Sequence, residues 1–109
     1  MATTYKVLGQ SNPSATTATT LYTVPASTST VVSTITVANL AGSAATFRIS
    51  VRPAGGVQSN AMYIAYDVTV GATDTTTLTL GLTLATTDVI TVYASTANLA
   101  FNAYGSEIA

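Results

Sequence analysis

Hydrophobic and polar residues alternate along several short stretches of the chain. Residues 47–52 read FRISVR and residues 77–84 read TLTLGLTL, so nearly every second side chain is apolar. Because successive side chains of a strand point to opposite faces, this period of two predicts strands with one buried face. No stretch keeps a helical period together with helix caps. The pattern therefore predicts an all-β chain.

Six further stretches rich in apolar or β-branched residues bring the number of predicted strands to about eight. The predicted strands cover residues 5–8, 21–24, 31–40, 47–52, 62–70, 77–84, 89–94 and 99–104. Turn signals such as SNPS at 11–14 and PAGG at 53–56 separate them. This spacing favours a single antiparallel β-sandwich of jelly-roll or Greek-key type, formed by residues 1–109 as one domain.

The same alternation assigns a hydrophobic core. Residues 31–40 have two similar faces, which predicts a strand that is covered on both sides. The predicted core consists of Leu21 or Tyr22, Ile35, Val37, Phe47, Ile49, Val51, Leu78, Leu80, Leu82, Val92 and Phe101.

Composition removes most familiar chemistry. The 109 residues include no Cys and no His, so the usual thiolate nucleophile, neutral-pH base and zinc ligands are missing. Lys6 is the only lysine, and no nucleophile motif surrounds it. A glycosidase-like pair of carboxylates can be drawn from the few acidic residues, but no motif frames one. We therefore expect no enzymatic activity, no metal and no cofactor.

Charge is unusually sparse. Only 6% of the residues are charged, against about 25% in an average soluble domain, while 23 Thr and 10 Ser take their place. Three basic residues are too few for a nucleic-acid or anionic-membrane surface. Low charge is either a compositional feature of a Thr-rich β protein or a sign that much of the surface lies in neutral protein contacts. We favour the second interpretation, because low charge suits the core of an interface, and expect protein partners and a homo-oligomer. The first residues lack the pattern of a secretory signal.

Arg48 and Arg52 are the candidate interface residues. In a strand they lie on one face about 13 Å apart, since each residue advances about 3.3 Å. Two interpretations stay open: a solvated sheet face, or anchors to an acidic partner or a neighbouring subunit. The aspartates Asp67, Asp74 and Asp88 lie near predicted turns, where Asp caps the local backbone.

Tyrosines raise an alternative of another class. Tyr63, Tyr66, Tyr93 and Tyr104 could form a platform on which sugar rings stack, as in a carbohydrate-binding β-sandwich. Strand alternation also accounts for these tyrosines as core or rim residues, and we favour that interpretation.

Several strand-and-turn motifs together resemble a known family. They are LYTVPA, VVSTITVAN, FRISVRP, TDVITVYAS and YGSEI, at residues 21–26, 31–39, 47–53, 87–95 and 104–108. The chain resembles, over nearly its whole length, small β-sandwich virion structural proteins of tailed bacteriophages, especially cyanobacterial and other aquatic phages.

The resemblance implies a non-enzymatic component of the virion, whose partners are other virion proteins such as major capsid or tail proteins. A phage particle is assembled in the cytoplasm of the host bacterium, so the resemblance also implies assembly there, without a secretory signal. Our first expectation is a capsid decoration or cement protein that stabilises the particle through protein contacts. A tail, baseplate or fibre-associated module is the alternative within the virion.

Overall fold

Eight strands build two antiparallel sheets in the computed structural model, which describes residues 2–109. The strands are β1 (Thr3–Ser11), β2 (Thr19–Thr23), β3 (Ser29–Asn39), β4 (Ala45–Arg52), β5 (Tyr63–Val70), β6 (Thr75–Leu84), β7 (Val89–Ala94) and β8 (Leu99–Ile108). Each predicted strand is confirmed, although β1 and β8 are longer than predicted. Two short 3₁₀ turns, Pro53–Gly55 and Asn60–Met62, lie in the connection between β4 and β5.

The strand order identifies the type of sandwich. Sheet I has the order β1-β8-β3-β6, and sheet II has the order β2-β7-β4-β5. The chain crosses between the two sheets at every connection except the one from β4 to β5. This arrangement is an eight-stranded jelly roll, a double Greek key of two packed sheets. The predicted β-sandwich is therefore confirmed.

One contiguous core fills the space between the sheets. At its centre Phe47 of sheet II meets Phe101 of sheet I edge to face, with ring centroids 6.0 Å apart. Most of the predicted core is confirmed as buried, namely Leu21, Tyr22, Ile35, Val37, Phe47, Ile49, Val92 and Phe101. Val51, Leu78 and Leu82 are half-buried and pack against this cluster.

Leu80 does not belong to the core, and its prediction was wrong. Leu80 and Gly81 together lie opposite the single residue Ser33, because Thr79 pairs with Thr34 and Leu82 pairs with Val32. Gly81 has a φ of +66°, the left-handed conformation that suits a β-bulge. The bulge interrupts the alternation of β6 and leaves Leu80 37% exposed.

A second irregularity explains why the two faces of β3 look alike in the sequence. Thr30 and Val32 point inward, but so do Ile35 and Val37, because the register shifts at Ser33. The inward-facing residues of β3 are therefore even-numbered before Ser33 and odd-numbered after it. The prediction that both faces are covered was wrong, since the outer face of β3 is only half-buried.

Each edge strand also carries extra residues relative to its neighbour. The shifts lie between Val7 and Gly9 in β1, between Thr20 and Tyr22 in β2, between Ala65 and Val68 in β5, and between Thr79 and Leu82 in β6. Bulges twist and interrupt an edge and so make it a poor template for another strand.

Among residues 2–109 there is no helix with the length and apolar character needed to cross a bilayer.

Ile35→Ala and Leu80→Ala should differ clearly in their effect on stability. Ile35 is fully buried, so its truncation should lower the free energy of unfolding by about 2–5 kcal/mol. Leu80 is partly solvated in the bulge, so Leu80→Ala should lower the free energy of unfolding by about 1 kcal/mol or less. Urea denaturation of both variants measures the difference. Equal losses would show that Leu80 packs as tightly as a core residue.

Candidate functional site

The outer face of sheet I forms one candidate surface. Residues that pair directly across neighbouring strands share a face, so the register identifies its members. Four rows cross the sheet: Tyr5, Ser106, Val31 and Thr83; Val7, Tyr104, Thr34 and Thr79; Gln10, Asn102, Thr36 and Thr77; and Ala100, Ala38 and Thr75. We call this surface the threonine face.

The threonine face carries no Lys, Arg, Asp or Glu in any of these rows. It combines hydroxyl and amide groups with apolar side chains. Tyr5 is 84% exposed, and Val7 and Tyr104 also present substantial apolar area to solvent. The seven charged side chains of the chain lie elsewhere, at the end of the sandwich, in turns and on sheet II.

The outer face of sheet II, the arginine face, is centred on Arg48 of β4. The Arg48 guanidinium donates to both carboxylate oxygens of Asp67, at 2.6 Å from Nε and 3.3 Å from Nη2. It also lies over the rings of Tyr66 and Tyr93, 4.2 and 4.5 Å from their centroids. The hydrogen bond to Arg48 lowers the pKa of the Asp67 carboxyl, and the hydrogen bond to Asp67 raises the pKa of the Arg48 guanidinium. Arg48 is therefore held in place, and Asp67 neutralises its charge.

A β-bulge in β5 produces this arrangement. Phe47 pairs with Val68 and Ile49 pairs with Ala65, so both Tyr66 and Asp67 lie opposite Arg48. Asp67 has a φ of +50°, which marks the irregular residue. In a regular strand two consecutive side chains would point to opposite faces, but here one stacks on Arg48 and the other pairs with it. The predicted turn-capping role of Asp67 was wrong for this reason.

Arg52 lies four residues after Arg48 on the same face of β4 and has different partners. Its Nε donates to the Thr91 hydroxyl at 3.2 Å, and its Nη1 donates to the carbonyl of Gly56 at 3.1 Å. Among residues 2–109 no carboxylate forms an ion pair with Arg52. The two arginines thus share a face, as the alternation predicted, and their role as interface residues stays a prediction.

The connection between β4 and β5 folds back over the arginine face. The Ser50 hydroxyl donates to the Gln58 side-chain oxygen at 2.6 Å. Ser50 points outward from β4 but is only 1% exposed, because this segment and its neighbours cover it. A groove of about 240 Å³ remains beside the covering segment, lined by both arginines, Gln58 and Tyr63 among others.

The structure brings together three of the four tyrosines proposed as a sugar platform. Tyr63 and Tyr66 meet edge to face with ring centroids 4.9 Å apart, and Tyr93 lies across Arg48 from Tyr66. Tyr104 lies apart from them on sheet I. These three rings lie around the arginine face and outside the buried core, so the rim part of the core-or-rim interpretation describes them.

A polar network joins the two sheets at one end of the sandwich. The buried Tyr22 hydroxyl donates to a carboxylate oxygen of Glu107 at 2.5 Å and lies 2.8 Å from the Thr30 hydroxyl. Lys6 donates to the other Glu107 oxygen at 3.3 Å. Burial, followed by the hydrogen bond to Glu107, raises the pKa of Tyr22 to about 12. The hydrogen bond from Tyr22 in turn lowers the pKa of Glu107.

The remaining carboxylates cap turns, as predicted. Asp74 accepts a hydrogen bond from the backbone N–H of Thr75 at 2.8 Å. Asp88 accepts from the N–H groups of Ala54 and Ala85, each at 2.9 Å. Each carboxylate thus has its own backbone donors. Within residues 2–109 no three Asp or Glu side chains converge in a group that could hold a metal ion.

A scan against protein-family models and searches of curated proteins and of solved structures each gave no match to this chain.

Tyr22→Phe should change how stability responds to alkaline pH. The native pKa of Tyr22 is raised from 10.0 to about 12, so its contribution to stability is present below pH 10. The unfolded chain releases the proton first, and stability therefore falls between pH 10 and 12. The variant lacks this group and should lose less stability over that interval in urea titrations.

Tyr104→Phe is the matched control, since it removes a hydroxyl from a solvent-exposed tyrosine of β8. It should keep the alkaline slope of the natural protein. An identical slope for the natural protein and Tyr22→Phe would contradict the role assigned to the Tyr22 network.

Proposed function

We propose that this protein is a non-enzymatic structural component of a tailed-phage virion that decorates the capsid and stabilises it through protein–protein contacts. The observation that carries the proposal is the threonine face, a four-stranded sheet surface without a charged side chain. Its partners are the major capsid protein and further copies of this chain. Assembly takes place in the cytoplasm of the bacterial host.

The chemistry of the threonine face suits burial against protein. Charged residues are depleted in interface cores because removing them from water is costly. Threonine hydroxyls can donate and accept, so they can exchange water for partner groups without a net charge. Tyr5, Val7 and Tyr104 add apolar area that is exposed in the free chain. The face therefore offers both the polar and the apolar contacts of an interface.

The size of the face is adequate for a specific contact. The four rows span about 26 Å across four strands about 4.8 Å apart, so the face covers roughly 500 Å², or roughly 1,000 Å² over both partners. This reaches the lower end of specific protein interfaces. Many copies on one particle would add avidity to each modest contact.

Fold and sequence pattern support the same proposal. The eight-stranded jelly roll is an architecture of viral capsid domains, and also of lectins and cupins. Since one fold hosts many functions, the fold alone selects none of them. The strand-and-turn motifs that resemble phage virion proteins, at residues 21–53 and 87–108, favour the viral assignment.

Attachment to the particle should depend little on salt. The threonine face has no charges to screen, and burial of apolar area and neutral hydrogen bonds persists at high ionic strength. Particles sedimented in low salt and in high salt should therefore carry the same amount of the protein. Release by moderate salt alone would mean that the charged residues of the other surfaces hold it.

The double substitution Thr77→Lys and Thr79→Lys should abolish attachment. Both residues are exposed on β6, so the variant should fold, but it would bury two unpaired ammonium groups in the interface. Thr69→Lys and Thr20→Lys together form the matched control, because they add the same charge to sheet II. Co-sedimentation with particles that lack the protein measures attachment. Equal binding of both double variants would exclude the threonine face as the contact.

A density map of the intact particle tests the location. The proposal expects the jelly roll at symmetric positions between capsomers, with sheet I against the capsid. Density for this chain in the tail, baseplate or fibres would overturn the decoration role in favour of the alternative within the virion. Absence of the protein from purified particles would overturn the virion assignment itself.

A further inference from the structure

The groove on the arginine face has the features of a small-ligand site that the proposed assembly does not use. It lies on sheet II, whereas the threonine face lies on sheet I on the opposite side of the sandwich. Its volume of about 240 Å³ is just below the roughly 300–1,000 Å³ of sites for drug-sized ligands. The groove therefore fits a single ring or a short side chain.

Arg52 supplies an available positive charge in the groove. A guanidinium has five N–H donors, and the structure uses two of those of Arg52, toward Thr91 and Gly56. Both partners are neutral, so they orient the guanidinium without cancelling its charge. Arg48 in the same groove is already neutralised by Asp67. The net charge of the arginine face is thus +1, and it resides on Arg52.

Neutral polar and aromatic groups surround this charge. Thr20 and Gln58 bring a hydroxyl and an amide to the groove, and Tyr63 and Tyr93 bring rings with an apolar body and a polar tip. Arg48 holds Tyr93 from one side, so this ring is fixed before any ligand arrives. One cation, several neutral hydrogen-bonding groups and rigid rings match a ligand that has a carboxylate, hydroxyls and an apolar ring face.

We infer that the groove binds an acidic sugar residue, with Arg52 paired to its carboxylate and Tyr63 and Tyr93 beside the sugar ring. A planar guanidinium matches the geometry of a carboxylate through parallel N–H···O bonds. The hydroxyls of the sugar face Thr20 and Gln58. Because the groove is open and small, binding of one residue is weak, with a dissociation constant on the order of 1 mM. A chain of such residues on a cell surface would bind more tightly to many copies.

Titrations of the isolated protein, followed by amide chemical shifts in nuclear magnetic resonance, test the inference. The probe is methyl β-D-glucuronide as its carboxylate. Methyl β-D-glucoside has the same ring without the carboxylate, and acetate and N-acetylglutamate amide have the carboxylate without the ring. The glucuronide should shift amides around residues 48–63 and 91–93, and the three comparison compounds should bind at least tenfold more weakly.

Two variants separate the ligand contact from a general charge effect. Arg52→Gln removes the charge and the fork of donors, and it should weaken glucuronide binding at least tenfold. Lys6→Gln makes the same change of charge at the end of the sandwich, away from the groove, and should leave binding unchanged. Spectra of both variants show whether the fold is retained. Arg52→Lys keeps the charge without the planar fork, so its affinity for the glucuronide should lie between those of the natural protein and Arg52→Gln.

Each other outcome overturns the inference. Equal binding of the glucoside would remove the role of Arg52, and equal binding of acetate or N-acetylglutamate amide would show that the groove recognises a carboxylate without a sugar. Shifts confined to sheet I, or none at concentrations well above the expected dissociation constant, would exclude this groove as the site. None of these results depends on whether the protein belongs to a virion.

Discussion

The packing of the two sheets around Phe47 and Phe101 determines which side chains are left to face outward. Once the inner faces are filled by buried apolar residues, the alternating positions form two outer surfaces with different chemistry. Sheet I presents threonine, serine and tyrosine, and sheet II presents arginine and tyrosine. Both candidate surfaces thus follow from the same interaction, because a shift of one residue in a strand would exchange its inner and outer side chains.

The few charges of the chain are used in specific pairs. Asp67 fixes Arg48 between two tyrosines, and Glu107 connects Lys6 on β1 to the buried Tyr22 on β2. The buried Tyr22 hydroxyl would lose a hydrogen-bond partner if Glu107 or Thr30 moved away. Because Tyr22 belongs to sheet II and its partners to sheet I, the Glu107 network also fixes how the two sheets meet at this end. Arg52 remains as the cation without a carboxylate partner among residues 2–109. This distribution leaves the threonine face uncharged and gives the arginine face its single net charge.

The alternation in the sequence was sufficient to predict the all-β class, the eight strands and the placement of Arg48 and Arg52 on one face. It failed where the register shifts. The alternation placed Leu80 on the same face as Leu78 and Leu82, because Gly81 is the only residue in the sequence that marks the bulge. Likewise Tyr66 and Asp67 are adjacent in sequence, and only the bulge in β5 directs both toward Arg48. Such contacts depend on the exact register between paired strands, which a single sequence does not specify.

The edges of the sheets bear on how the association that we propose would take place. Proteins commonly protect exposed edges with lysine or other charges, but this chain has only three basic residues. Instead all four edge strands, β1, β2, β5 and β6, contain register shifts that interrupt their free hydrogen-bonding groups. An edge of this kind resists the addition of another strand, so in that proposal a second molecule would gain more by packing against a face. In the assembly that we propose, the threonine face would be the surface covered, because it has no charged side chain to remove from water.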